Sequence, residues 1–182
     1  PRRVSFDVAP GQTVALVGES GSGKTVTAMT VLHLLPEDAH RAGAMVYQRE
    51  DLFHAPPERI RELRGGEIGM IFQEPMTALN PVYTVGRQIS DAIRAHRPVS
   101  RAAAQREAIK LLADVGIPEP ERRVRSYPHQ LSGGQRQRAM IAMAICNDPV
   151  LLIADEPTTA LDVTVQAEIL ALLRRLQQER GM

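Results

Sequence analysis

Tryptophan is absent, cysteine occurs once, at Cys146, and aromatic residues make up 3% of the 182-residue chain. One cysteine excludes an internal disulfide framework and a thiolate metal site, and it fits a reducing compartment. With so few rings, Leu, Ile, Val, Met and Ala must fill the core. Charge of neither sign is in excess: 22 basic residues stand against 21 acidic ones, a formal net charge of +1. That balance removes the electrostatic case for nucleic acid or anionic lipid as the main partner. The cluster Arg122, Arg123 and Arg125 reads as solvated surface. No apolar run is long enough to span a bilayer; residues 140–154 come closest, and Asn147, Asp148 and Pro149 interrupt them. No secretory leader is recognisable. Histidines 33, 40, 54, 96 and 129 show no metal-ligand spacing. The chain runs from Pro1 to Met182 without an obvious natural start, so the expectation is a fragment.

What is present is ordinary for a globular protein: 43% apolar and 24% charged residues, enough for one domain with a sizeable core. Residues 13–17 (TVALV), 68–72 (IGMIF) and 150–154 (VLLIA) are short apolar runs of buried-strand type, and residues 44–47 suit an edge strand. Helical stretches are predicted over 24–35, 57–64, 85–96, 100–115, 133–145 and 163–180. Ser100 caps one of them and Gly116 lies just past its end. In the last, Val165, Ile169, Leu172, Leu173 and Leu176 share a face. Strands alternating with helices predict an α/β fold with a mainly parallel sheet. Residues 75–130, helical and punctuated by prolines, read as a subdomain inserted into it.

Two segments carry chemistry. Gly18-Glu19-Ser20-Gly21-Ser22-Gly23-Lys24-Thr25 fits G-x-x-x-x-G-K-[ST] between an apolar run and a helix. Its glycines let backbone N–H groups turn inward onto phosphate oxygens, and the helix N-terminus faces the same anion. Lys24 then reaches the β- and γ-phosphates and Thr25 ligates Mg²⁺. A flexible Gly/Ser loop with a surface lysine is the plain alternative, and the strand–loop–helix context disfavours it. The second segment is VLLIA followed by Asp155 and Glu156. Ligands sit at the carboxyl ends of parallel strands, so Asp155 can hold Mg²⁺, through water, and Glu156 can polarise the attacking water. Acidic residues also end strands as helix caps, and the phosphate loop tips the balance to the catalytic reading.

Leu131-Ser132-Gly133-Gly134-Gln135 precedes a helix. It can be a serine cap with a glycine turn, or a second anion cradle made of a hydroxyl, glycine amides and a helix N-terminus. A chain with one phosphate loop needs a second cradle if two copies each supply half of a site.

With these residues in order, the chain resembles the ATPase subunits of ATP-binding cassette (ABC) proteins over essentially its whole length. LSGGQ is similar to the family signature, Gln73 to the Q-loop glutamine, and Ala160-Leu161-Asp162 to the D-loop that crosses the dimer interface. The resemblance implies a P-loop NTPase (RecA-like) core, one truncated nucleotide-binding domain over residues 1–182, and the inserted helical subdomain at about 75–130. It implies ATP and Mg²⁺ as ligands, with Thr25, Gln73 and Asp155 near the metal and Glu156 and Gln73 at the hydrolytic water. Residues 18–25 with Ser132, Gly133, Gly134, Gln135 and Asp162 would bind nucleotide across a dimer of cassettes.

The segments Gln73 to Pro81 (QEPMTALNP), Tyr127-Pro128-His129-Gln130 and Ala154 to Asp162 resemble dipeptide, oligopeptide and nickel importer ATPases and their microcin-peptide relatives. That implies a second cassette and membrane permease subunits as partners, and a solute-binding protein indirectly. It places the chain at the cytoplasmic face of the inner membrane and implies no nucleic acid. A soluble ABC protein acting on DNA or ribosomes is one alternative; the stretch between the phosphate loop and the signature lacks sustained heptads, against the DNA-repair type. A small-molecule phosphotransferase is another, against which LSGGQ and the acidic strand end both count. Two family elements have no match: the adenine-stacking aromatic, for which Phe6 and Tyr47 are nearby but better suited to core packing, and the switch histidine. The expectation is a piece that keeps phosphate contacts, hydrolyses poorly and leaves an open sheet edge.

Overall fold

Apolar β-branched runs form strands only where a neighbour pairs with them, and two of the three predicted runs find each other. The computed structural model describes residues 4–36, 38–39, 42–159 and 161–182; His40 and Ala160, the latter in the D-loop match, lie outside these. Strand β3 (Ile68–Ile71) pairs in parallel with β4 (Leu151–Ala154), Ile68 opposite Leu151 and Ile71 opposite Ala154. All four residues of β3 are buried. Gly69 sits where helix α7 (Gly133–Ala144) ends against the sheet, and a Cβ there would run into the Ala144 carbonyl. Parallel pairing in matched register makes both strands finish together, so Gln73, Asp155 and Glu156 leave the same sheet end.

The run at 13–17 does not follow the prediction. It belongs to no strand, no backbone hydrogen bond joins it to another segment among the described residues, and Val17 is 94% exposed. Strand propensity expresses packing against neighbours more than an intrinsic backbone preference, and among the described residues no strand pairs with this run. Phe6, expected in the core, is also exposed, whereas Tyr47 is half-buried against the smaller apolar cluster and donates to Glu67. The edge strand at 44–47 becomes β1 (Val46–Tyr47) in an antiparallel hairpin with β2 (Glu50–Asp51). Gln48 and Arg49 make the two-residue turn with φ of 49° and 72°, the left-handed pair such hairpins need.

Helices follow their caps. Helix α1 (Lys24–Val31) is shorter than predicted: His33 turns left-handed, and the Arg64 guanidinium takes the Leu32 and His33 carbonyls, satisfying groups a helix end leaves open. Between β3 and α7 come α3 (Pro75–Ala78), α4 (Val85–His96), α5 (Arg101–Asp114) and α6 (Pro120–Arg123), preceded by α2 (Pro57–Glu62). Thr84 caps α4 and Ser100 caps α5. Helix α8 (Val163–Arg180) starts on Asp162, whose carboxylate accepts from Val165 N–H at 3.0 Å, and ends on Gly181 at φ 66°. The larger core joins α4, α5, α7 and α8 through Ile89, Ile93, Leu112, Ile141 and Ile169, and Ile71 of β3 belongs to it. The smaller core gathers Leu32, Leu52, Ile60, Leu63, Ile68 and Met70. Among the described residues no helix is long and apolar enough to cross a membrane.

Candidate functional site

The loop at 18–25 is shaped by glycine. Gly21 and Gly23 take φ of 79° and 97°, backbone that residues with a Cβ rarely adopt. Gly23 is the N-cap of α1 and offers no side-chain acceptor, so the first amides of that helix have no side-chain cap. Amides at an uncapped helix start attract anions. Lys24 Nζ donates to the carbonyls of Gly18 at 2.9 Å and Glu19 at 3.1 Å, and pairs with Glu156 at 3.3 Å.

The strand ends converge on the same place. Thr25 Oγ1 donates to Asp155 Oδ1 at 3.0 Å, and Asp155, 5% exposed, is anchored by its own N–H on the Ile71 carbonyl. Gln73 Nε2 donates to Glu156 Oε2 at 3.0 Å. Thr159 Oγ1 donates to the same oxygen at 3.1 Å; no motif reading points to this residue, whose one local signal is a hydroxyl three positions after the carboxylate. The Lys24 ammonium, aided by Thr159 and Gln73, holds the Glu156 carboxyl below the usual carboxylate range. Glu156 takes φ of 46°, a conformation that costs a non-glycine residue free energy and clusters at functional sites.

Thus Lys24, Thr25, Gln73, Asp155 and Glu156, spread over 133 positions of sequence, meet in two adjacent bonded sets, Thr25 with Asp155 and Lys24 and Gln73 with Glu156. The arrangement offers backbone amides and an ammonium to phosphate oxygens. The Thr25 hydroxyl and the Asp155 carboxylate stand side by side, a pair of hard oxygen donors of the kind Mg²⁺ takes. A carboxylate and an amide stand where a water could be oriented.

The LSGGQ segment does not join this group. Ser132 Oγ accepts from Gln135 N–H at 3.2 Å, and Gln135 Oε1 accepts from Ser132 N–H at 3.1 Å, a reciprocal capping box. No hydrogen bond or ion pair links residues 132–135 to residues 18–25 among the described residues. Ser132 is exposed at the start of α7. Asp162 is occupied as the cap of α8.

A protein-family model described as ABC transporter matches residues 1–159. The chain belongs to the ABC transporter family. Over 181 residues it is 56% identical to the peptidoglycan transport ATP-binding protein YejF of Agrobacterium fabrum, covering 98% of this chain and 33% of that protein. It is 55% identical to the putative peptide import ATP-binding protein BMEII0863 of Brucella melitensis, covering 98% of this chain and 55% of that protein. The chain thus spans about a third to a half of the curated relatives it matches. Among solved structures, the ABC cassette MJ0796, a dimer in a post-hydrolysis state with ADP and Pi, matches with a TM-score of 0.83 and 29% identity over 97% of this chain and 74% of that one. The cbiO1 protein of Clostridium perfringens, part of the ABC transporter complex cbiONQ, matches with a TM-score of 0.80 and 26% identity, over 98% of this chain and 67% of that one. This ABC chain therefore has the P-loop NTPase fold of the cassettes.

Proposed function

We propose that this ABC chain binds and hydrolyses Mg-ATP and so energises the import of peptides or peptide-like solutes. The observation that carries the reading is the convergence of Lys24, Thr25, Gln73, Asp155 and Glu156 from three segments. In this reading residues 1–182 belong to one nucleotide-binding domain, with a helical subdomain inserted at about 75–130. The helical character of α3 to α6 supports that boundary, although their core is continuous with α7 and α8.

Nucleotide phosphates lie on the amides of residues 18–25, and Lys24 turns from Glu156 to them. The pairing of Lys24 with Glu156 therefore belongs to the nucleotide-free arrangement. Thr25 and Asp155, with Gln73 nearby, would hold Mg²⁺, which would neutralise phosphate charge and fix the oxygens in line. Gln73 and Thr159 orient the Glu156 carboxylate, and Glu156 then polarises the attacking water. Such chemistry is mostly positioning and electrostatics. Ser132, Gly133, Gly134 and Gln135 make no hydrogen bond or ion pair with their own phosphate loop among the described residues, so a second cassette supplies that cradle, and Asp162 lies at the junction. The dimeric MJ0796 neighbour and the peptide-transport names of the relatives support this reading. Permease subunits in the inner membrane, with a solute-binding protein outside it, would complete the system, and the chain would sit at the cytoplasmic face.

The test is molar mass by light scattering for Glu156→Gln, with and without Mg-ATP. A monomer-to-dimer shift only with nucleotide, abolished by Ser132→Arg, is expected. Nucleotide binding without any dimer in the natural full-length protein would overturn the shared-site mechanism.

A further inference from the structure

The inward face of α7 is apolar at Ala139, Met140, Ile141 and Ala142, and Gln137 interrupts it. Gln137 is 2% exposed, and its Nε2 has no hydrogen-bond partner among the described residues. A buried amide donor without an acceptor works against the fold, and native structures keep few of them without a reason. A Met or Leu would fill the same volume without that cost, so packing alone does not account for glutamine here.

The surroundings indicate what it serves. Gln137 lines a cavity of about 80 Å³ whose wall includes Gln73 and Glu74 from the exit of β3, Pro157 and Thr159 from the exit of β4, and Leu161. The side chains on that wall with acceptor oxygens are Gln73, Glu74 and Thr159. Two of them, Gln73 and Thr159, hold Glu156. The far side of this cavity is thus the support of the candidate base. With Gln73, Glu74 and Thr159 on its wall, a space of this size also admits ordered water that can relay a hydrogen bond. Gln137 stands two residues beyond Gln135, on the helix that begins with the Ser132 cradle.

We propose that Gln137 is a positioning residue for ATP hydrolysis: its side-chain amide, unpaired in the nucleotide-free arrangement, bonds across this cavity to the 73–74 segment when the cassettes close and then sets where Gln73 holds Glu156. The inference rests on the ATPase reading above. Gln137 touches no nucleotide and acts through Gln73. By joining the 73–74 segment to α7, it makes the orientation of Glu156 depend on where the Ser132 cradle stands, and hence on closure against a second cassette.

The experiment compares Gln137→Met and Gln137→Leu with the wild type in the natural full-length protein, reading kcat, KM, ADP affinity and Tm. In the variants kcat is expected to fall about tenfold with KM and ADP affinity within about twofold, the pattern of a lost transition-state interaction. Without nucleotide the Tm stays level or rises, because the buried donor removed is unpaired in that arrangement. A kcat within about twofold of wild type overturns the proposal, as does a kcat that falls together with Tm in both variants, which is the pattern of a packing residue. The wild type in the same assay separates the two layers. An inert wild type overturns the ATPase reading and this inference with it, whereas an active wild type matched by Gln137→Met overturns the inference alone.

Discussion

Two glycine-containing turns each start a helix in this molecule, and they are finished differently. At α1 the cap is Gly23, which offers no side-chain oxygen, and no residue of the helix is buried. At α7 the cap is Ser132, closed reciprocally by Gln135, and six residues of the helix are buried. The first cradle is therefore open and lightly held, with the Lys24 ammonium bonded across it to the Gly18 and Glu19 carbonyls. The second is self-satisfied and anchored in the main core. Segments with few buried contacts open at low free energy and are the ones a ligand can order. In a shared ATP site, the phosphate loop would then be the part that adapts and LSGGQ the part that is presented ready-made.

The most damaging test of the contrast is Lys24→Ala. Losing the one cation that bridges the loop carbonyls and Glu156 should lower turnover at least about 100-fold and weaken nucleotide binding, read by steady-state hydrolysis and equilibrium binding. Tm should barely change, because Lys24 belongs to neither apolar core. If turnover persisted, the open cradle would not be the site.

Gly133→Ala sharpens the other side. A Cβ at Gly133 would meet nothing nearer than Leu161 Cδ2 at 3.8 Å, so the chain itself has room for it. Stability should shift by less than about 0.5 kcal/mol. In the proposed shared site, where the bare glycine would serve the partner's nucleotide, ATP-driven dimerisation should weaken at least about tenfold, about 1.4 kcal/mol. Sedimentation and urea unfolding of one preparation read both quantities.

Ser132→Ala removes the cap that makes the second cradle self-sufficient and should lower stability by about 1 kcal/mol, visible as a shifted urea midpoint. The smallest effect is expected at the other end of α7. Burial pushes the Cys146 thiol from 9.0 up to about 12. The folded pKa is the raised one, so the unfolded chain ionises first, and stability present below pH 9 is lost as pH rises from 9 toward 12. At pH 9 the loss is only about 0.4 kcal/mol. Urea midpoints from pH 7 upward should fall more steeply for wild type than for Cys146→Ala, and equal slopes would mean that the end of α7 is looser than its burial implies.

Much of this was legible in the sequence, and unevenly so. The predicted bounds of α4 and α8 match the structure, since apolar spacing and the caps Thr84, Asp162 and Gly181 are local signals. The family resemblance and the peptide-transport likeness rest on contiguous motifs, and they agree with the relatives found. Less legible were features with no local mark. TVALV has strand composition but gains a strand only from neighbours, and Phe6 is apolar yet exposed. The hairpin at Gln48 and Arg49 carries none of the Asn-Gly or Asp-Gly chemistry that announces such turns. Thr159 and Gln137 look like ordinary polar residues until their surroundings are known.

The sequence by itself determined the phosphate loop, the acidic end of β4, the LSGGQ cap and most helix limits, because each depends on residues within one or two turns of each other. Only the tertiary structure decided that Lys24 pairs with Glu156, that Gln73 and Thr159 share one carboxylate oxygen, and that Gln137, its buried amide nitrogen unpaired, lines a cavity with them. The contacts of Lys24 and Gln73 with Glu156 join positions more than eighty residues apart, and Thr159, three residues from Glu156, shares that oxygen only because the chain turns after β4. They exist because parallel register brings β3 and β4 out at the same edge, and pattern along a chain carries no record of where two strand ends meet.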